Sequence, residues 1–205
     1  MLNDTDTYQT IAAPTKEILF KEKKSKFFGY AYPITTEEEV KPIVEILQKK
    51  HRTANHLCYA WQLGTENIRY RANDDGEPNN SAGMPIYGQI RATKITNVLV
   101  VVARIFGGTK LGTGGLISAY RNTAQLALKE ATIIEQVLRN KYEASFHYKN
   151  LNSIMRLIKQ NQLTIHSQQL EMNCKIEFSV RKKECKKIEA LLKNIPEVSS
   201  QKIGS

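Results

Sequence analysis

Five glycines fall within Gly107-Gly108-Thr109-Lys110-Leu111-Gly112-Thr113-Gly114-Gly115, directly after the most apolar run of the chain. Without Cβ atoms in the way, the backbone N–H groups of such a segment can converge on one point. The sequence that follows has helical spacing, and a helix directs its positive dipole end back at the residues before it. With Arg104 and Lys110 as charge partners, Gly107, Gly108, Gly112, Gly114 and Gly115 therefore form a candidate anion site. The spacing is not that of a P-loop, since no Gly-Lys-Ser/Thr follows where one is required. The dinucleotide fingerprint also fails, because Gly112 and Gly114 lack the third glycine. The same residues suit a tight turn that lets a helix lie close on a sheet, and both readings stand at this point.

Asp74-Asp75-Gly76-Glu77-Pro78 places three carboxylates in one turn. Oxygen ligands of this kind suit a hard cation, but the alternation and distal Glu of a Ca²⁺ loop are missing. Turn-forming Asp and Gly before a proline account for the segment without a metal, so no metal site is assigned. His56 stands two residues before Cys58, and His51 lies on a different element, which gives no zinc spacing. Ser81 and Ser118 lack the nucleophile elbow, so no catalytic residue is assigned.

A second group of charges lies near the end of the chain. Arg181, Lys182 and Lys183 precede Lys186 and Lys187, and Arg156 and Lys159 sit on an earlier helix. Residues 1–135 carry 17 Lys/Arg against 14 Asp/Glu, whereas residues 136–205 carry 13 against 6, so +7 of the formal +10 belongs to the last third. Such a bias suits a polyanion, whose phosphates release counterions when neutralised, and it suits a solubilising surface equally. Phe146, Tyr148 and Phe178 alternate along strands and read as core, so contact with phosphates is expected rather than base readout.

These groups must be held by folded elements. Strands are expected over Glu17–Phe20 and Lys26–Pro33, joined by the basic turn Lys21–Ser25. Thr36 and Glu39 form a capping-box pattern opening a helix to about Lys50, with Pro42 either kinking it or delaying its start. Asn55–Leu63 and Ile68–Ala72 form a hairpin, residues 73–82 a polar loop, and Gly83–Thr93 a short helix. Val98–Phe106 reads as a strand covered on both faces. Leu116, Ala119, Tyr120, Thr123, Ala124, Ala127, Leu128 and Ala131 make one small-residue helix face. A strand over Thr132–Leu138 follows. Beyond it the order is βαββαβ: the strand through Tyr142 and Phe146, a helix through Leu151 and Ile158, strands over Leu163–Leu170 and through Cys174 to Val180, a helix through Cys185 and Leu192, and a closing strand Val198–Ile203. That order is the split-βαβ arrangement of ferredoxin-like domains. The fold class is α+β, with a tail over 1–16, one domain over 17–138 and a ferredoxin-like domain over 139–205.

With 41% apolar residues the chain can fill two cores. No run approaches the roughly 18 apolar residues of a membrane span, and the polar, acidic start is neither a secretory signal nor a presequence. A soluble cytoplasmic protein with no membrane partner is expected. Cys58, Cys174 and Cys185 are widely spaced and odd in number, which argues for reduced, buried thiols.

Four blocks together resemble a known signature: His56-Leu57-Cys58-Tyr59-Ala60, Asp74 to Pro78, Ser81-Ala82-Gly83 with Pro85, and Asn97 through Leu116. Their order and spacing are similar to the IMPACT/YigZ family across residues 17–138, and the second domain resembles the extra domain of its bacterial members. Asn79-Asn80-Ser81 departs from the family's usual Ser-Gly-Thr, and Ala103-Arg104-Ile105 from Thr-Arg-Tyr. The resemblance implies a first domain like the second domain of a small-subunit ribosomal protein and domain IV of the translocation elongation factor, and a second domain like domain V of that factor. It also implies a family-motif surface of His56, Asp74, Asp75 and Glu77. Eukaryotic members act in translational control by competing for the activator of the amino-acid-control kinase, a pathway bacteria lack. The family has no agreed catalytic residues, and fold likeness alone assigns no function.

Two functions are therefore expected in competition. One is a non-enzymatic binding protein of translation or stress response, contacting RNA, the ribosome or a translation-associated protein, with no cofactor. The other is a Mg²⁺-dependent enzyme acting on a phosphorylated or peptide-like small molecule, with Asp74, Asp75 and Glu77 holding the ion. Nothing in the sequence sets an oligomeric state.

Overall fold

The computed structural model describes residues 6–204. Among the described residues the chain forms two compact units, Tyr8–Glu135 and residues 136–204 together with Asp6 and Thr7. The architecture is mixed α+β throughout.

In the first unit the elements are β1 (Thr7–Ile11), β2 (Ile18–Glu22), β3 (Ser25–Pro33), α1 (Val40–Lys50), β4 (His56–Leu63), β5 (Arg69–Asn73), α2 (Gly83–Thr93), β6 (Val98–Ile105), α3 (Gly112–Lys129) and β7 (Ile133–Val137), of which Thr7 and the last residues of β7 fall across the boundary. Five strands make a sheet in the order β2-β3-β6-β4-β5, antiparallel throughout. The central place of β6 explains its lack of alternation. Val98, Val100 and Val102 belong to one core, with Ile86, Ile90, Ala119 and Tyr120 from α2 and α3. Leu99, Val101 and Ala103 belong to a second core on the opposite face, with Val40 and Leu47 of α1. A strand covered on both sides needs apolar residues at every position.

The 3₁₀ turn that leads into α1 begins at a capping box. Glu39 Oε1 accepts hydrogen bonds from the backbone of Thr35 and Thr36, completing the expected capping box. A 3₁₀ turn, Glu37–Glu39, precedes α1, so Pro42 falls in the helix's first turn, where its missing N–H costs nothing. On α3 the buried residues are Leu116, Ala119, Tyr120, Thr123, Ala124, Ala127 and Leu128, the small-residue face read from the sequence.

Two readings change. Within residues 1–16, Thr7–Ile11 forms β1, which pairs with β7 in a two-stranded sheet; Ile11 joins the first unit's core, and burial of that side chain accounts for the strand. Residues 1–5 lie outside the described residues. The segment 112–115 is not loop but the first turn of α3.

The second unit runs β8 (Arg139–His147), α4 (Leu151–Gln160), β9 (Thr164–Gln169), β10 (Asn173–Arg181), α5 (Cys185–Lys193) and β11 (Val198–Gly204). Its sheet is antiparallel in the order β11-β8-β10-β9. Ile154, Leu157 and Ile158 of α4 and Ile188 and Leu192 of α5 share a core with Tyr142, Ala144, Phe146, Ile176, Phe178 and Val180, so both helices cover the same sheet face. Tyr148 leaves the alternation: the chain has already turned into a 3₁₀ segment there, and the ring is exposed. Among the described residues no helix is long and apolar enough to cross a membrane.

Candidate functional site

Register places the site. On β6, Arg104 pairs across to His56 at the start of β4 on one side and to Phe27 of β3 on the other. Beyond β6 the chain crosses to α3, whose first turn closes over the same end of the sheet. Between them lies a hollow of about 480 Å³, walled by His56, Pro78, Arg104, Phe106, Lys110, Leu111 and Thr113 among others.

Arg104 is buried, with 6% of its surface exposed. Its Nη1 donates to Glu77 Oε1 at 2.6 Å, and Tyr120 Oη donates to the same oxygen at 2.8 Å. The guanidinium lies 5.6 Å from the rings of both Phe27 and Phe106, within cation–π range. Arg104 Nε–H has no acceptor in the protein. Behind Tyr120, the Cys58 sulfur sits 3.3 Å from its hydroxyl and 3.0 Å from the Asp74 carbonyl oxygen. Burial pushes the Cys58 thiol up, and burial and the neighbouring Cys58 push the Tyr120 phenol up, so both stay neutral and Cys58 offers no thiolate.

The acidic loop is a scaffold. Asp74 Oδ1 accepts from the N–H groups of Ala82 and Gly83 at the start of α2, and its Oδ2 accepts from Asn80. Asp75 Oδ2 accepts from Leu57 N–H at 2.6 Å, and the Asp75 carbonyl oxygen accepts from His56 Nδ1 at 2.7 Å. Glu77 is buried against Arg104, which removes it from the expected motif surface. Protein donors thus hold the three carboxylates apart in different tasks, and the described residues contain no cluster suited to a metal. Asn80 adopts φ +61°, which Asn tolerates well, where the family pattern has glycine.

The glycines divide in role. Gly107 packs on the backbone of the β2–β3 turn: a Cβ there would stand 2.1 Å from the Lys24 carbonyl carbon. Its N–H donates to Ser25 Oγ, and Phe106 N–H donates to Asn55 Oδ1, so these two donors are already engaged. Gly108 and Gly114 face open space, and Gly115 approaches Leu111 Cβ. Gly112 takes φ +72° as the first residue of α3. No side chain caps this 18-residue helix and no acid occupies its first turn, so its leading N–H groups and Lys110 border the hollow without a side-chain acceptor. Of the donors in 107–115, Gly107 N–H is thus engaged within the protein.

The basic turn expected over Lys21–Ser25 lies beside Gly107, a neighbour that no local pattern announces. Glu22 pairs with Ser25, leaving Lys23 and Lys24 as a two-residue loop with φ of +44° and +69°. Both lysines are exposed next to the glycine segment. On the sheet's other face, Tyr30 Oη donates to Glu17 and lies 2.6 Å from His51 Nε2, with Lys50 2.9 Å from Glu17. No sequence spacing announces that cluster.

In the second unit, the Arg181 guanidinium grips Asp6 in a bidentate pair, Nε to Oδ2 at 2.5 Å and Nη2 to Oδ1 at 2.9 Å. That pairing takes Arg181 out of the expected phosphate-facing set, because its planar fork is already matched to a carboxylate. Lys182 is half-buried, whereas Lys183, Lys186, Lys187, Arg156 and Lys159 are exposed. Lys187 Nζ donates to Asn161 Oδ1 at the end of α4, which draws the two helices' charges together.

A family described as the Impact N-terminal domain matches residues 23–128. An IMPACT family member of Haemophilus influenzae is 30% identical over 194 residues, 93% of each chain. The IMPACT family member YigZ of Escherichia coli is 32% identical over 151 residues, covering 73% of this chain and 74% of that one. A crystal structure described as that of a hypothetical protein aligns over 98% of both chains, with 26% identity and a TM-score of 0.73.

Proposed function

Because the chain belongs to the IMPACT family, we propose that it is a non-enzymatic regulatory binding protein of translation or stress response. It acts in the cytoplasm and contacts RNA, the ribosome or a translation-associated protein through phosphate-type recognition. One observation carries the reading: the turn bearing exposed Lys23 and Lys24 meets Gly107 through the Lys24 backbone, in the segment that leads through exposed Lys110 to the uncapped start of α3. Among the described residues none of these lysines is paired with an acid. A track of unpaired cations leading to helix N–H groups suits a phosphate backbone.

The second unit supports the same reading. Its strand order β11-β8-β10-β9, with two helices on one face, supports reading it as a ferredoxin-like domain. Lys183, Lys186 and Lys187 extend its exposed charge. The first unit is read, on the resemblance, as the fold shared with ribosome-bound domains. Engaged carboxylates and a neutral, buried Cys58 favour binding over catalysis.

The test is fluorescence anisotropy of the full chain with a labelled structured RNA across a salt series. Affinity should fall linearly on a log–log plot, and reversing Lys183, Lys186 and Lys187 to Glu should reduce that slope by about 2–3. Absence of binding at low ionic strength overturns the proposal.

A further inference from the structure

The hollow at the start of α3 has features that backbone contact does not require. Its volume of about 480 Å³ suits a small molecule, and its wall combines apolar Leu111 and Leu116 with a few polar groups. Two independent observations call for an anion there. The first-turn N–H groups of an 18-residue helix have no capping side chain. Arg104, more than nine-tenths buried in the same wall, keeps an Nε–H with no acceptor. A donor left without a partner at such a position costs free energy that an arriving acceptor recovers. The wall's one carboxylate, Glu77, is already neutralised by Arg104, so Lys110 and the helix end set the local sign.

A third observation identifies what the anion is attached to. Phe106 is 42% exposed at the rim, although it is a large apolar ring, and its inner face lies over the Arg104 guanidinium. A planar ring stacked on the outer face would complete an arginine–aromatic sandwich.

We infer that this hollow seats a nucleotide: its phosphomonoester at the first turn of α3 with Lys110 and Arg104, its base on Phe106. This rests on the anion-binding reading above and adds the ligand class. His56 donates Nδ1–H to Asp75, so its Nε2 is the ring nitrogen left for the ligand.

The full chain is titrated calorimetrically with inorganic phosphate, uridine and uridine 5′-monophosphate. The monophosphate should bind roughly tenfold tighter than phosphate, the increment of one stacked base, and uridine should bind most weakly. Phe106→Ala should bring the monophosphate down to the level of phosphate. Thr113→Glu places a carboxylate where the phosphate sits, while an acid in a helix's first turn favours folding. It should abolish binding of both with the unfolding midpoint retained. A short oligoribonucleotide with a 5′-phosphate, compared with its 5′-hydroxyl form, separates the sources. Preference for the phosphorylated oligomer over the free monophosphate marks a chain end, and equal affinity marks free nucleotide. The inference is overturned if neither phosphate nor the monophosphate binds, if Thr113→Glu changes nothing, or if a peptide's terminal carboxylate binds tighter than the monophosphate. RNA binding that persists through such a failure leaves the regulatory reading intact.

Discussion

Removing either member of the Arg104–Glu77 pair should destabilise the first unit more than almost any other single change. Both side chains are nearly inaccessible, 7% and 3% exposed, and Glu77 Oε1 receives hydrogen bonds from Arg104 and Tyr120 together. Glu77→Leu strands a guanidinium in the interior, and Arg104→Met strands a carboxylate. Each should cost about 3–5 kcal/mol, the range for breaking a buried ion pair. With a urea slope of about 2 kcal/mol/M, each midpoint should fall by roughly 1.5–2.5 M. The double variant removes both charges and leaves the Tyr120 hydroxyl without its acceptor, which costs about 1–3 kcal/mol. It should therefore be far more stable than the sum of the singles. Trp61, the chain's single tryptophan, is buried in β4, so its fluorescence follows the first unit alone. If the double variant loses as much as the two singles added together, the charges act independently and the argument from mutual burial is wrong.

Other consequences follow from neighbouring features. Burial, and then Lys50, hold the His51 imidazole below its ordinary value of 6.5, with Glu17 opposing them. The unfolded chain therefore takes up the proton first as pH falls through that value, so folding stability should drop below about pH 6.5. His51→Gln should flatten that part of a thermal-midpoint profile. Gly107→Ala drives a methyl into the Lys24 backbone and should cost about 1–3 kcal/mol or more, whereas Gly114→Ala meets open space in a helical turn and should gain up to about 1 kcal/mol. The Arg181 fork, chiefly through its hydrogen bonds, lowers the Asp6 carboxyl below 3.8. Its contribution is present above that pH and lost as pH falls through the lowered value, so the gap in urea midpoint between wild type and Asp6→Asn should close on acidification.

The sequence carries the fold where periodicity does. The unbroken apolar run of β6 signals a strand enclosed by two cores, and the small residues of α3 signal close packing. The alternating and helical patterns beyond Gln136 give the order of the second sheet's elements. The site is legible only in its local parts. Arg104, Lys110 and the glycines announce themselves, but the start of α3 does not, because Gly112-Thr113-Gly114-Gly115 has no apolar face to mark a first turn. Glu77 looks like one of three solvated acids in a turn. Its burial depends on Tyr120, 43 residues away, and on the register that sets Arg104 beside it. Arg181 looks like the head of a basic run until Asp6, 175 residues distant, arrives against it. Long-range pairing of this kind leaves no local pattern to read.

The two lysines at the tip of the β2–β3 hairpin carry one more implication. An Asn-Gly pair would adopt their left-handed backbone with less strain, by about 1 kcal/mol at each position. Any redesign that ranks positions by thermodynamic gain would replace Lys23 and Lys24 early, and the product would melt higher. It would also lose the two cations flanking the glycine segment. Thermal robustness and partner affinity should thus move in opposite directions at this tip, so a screen that scores melting alone would discard the feature it ought to keep.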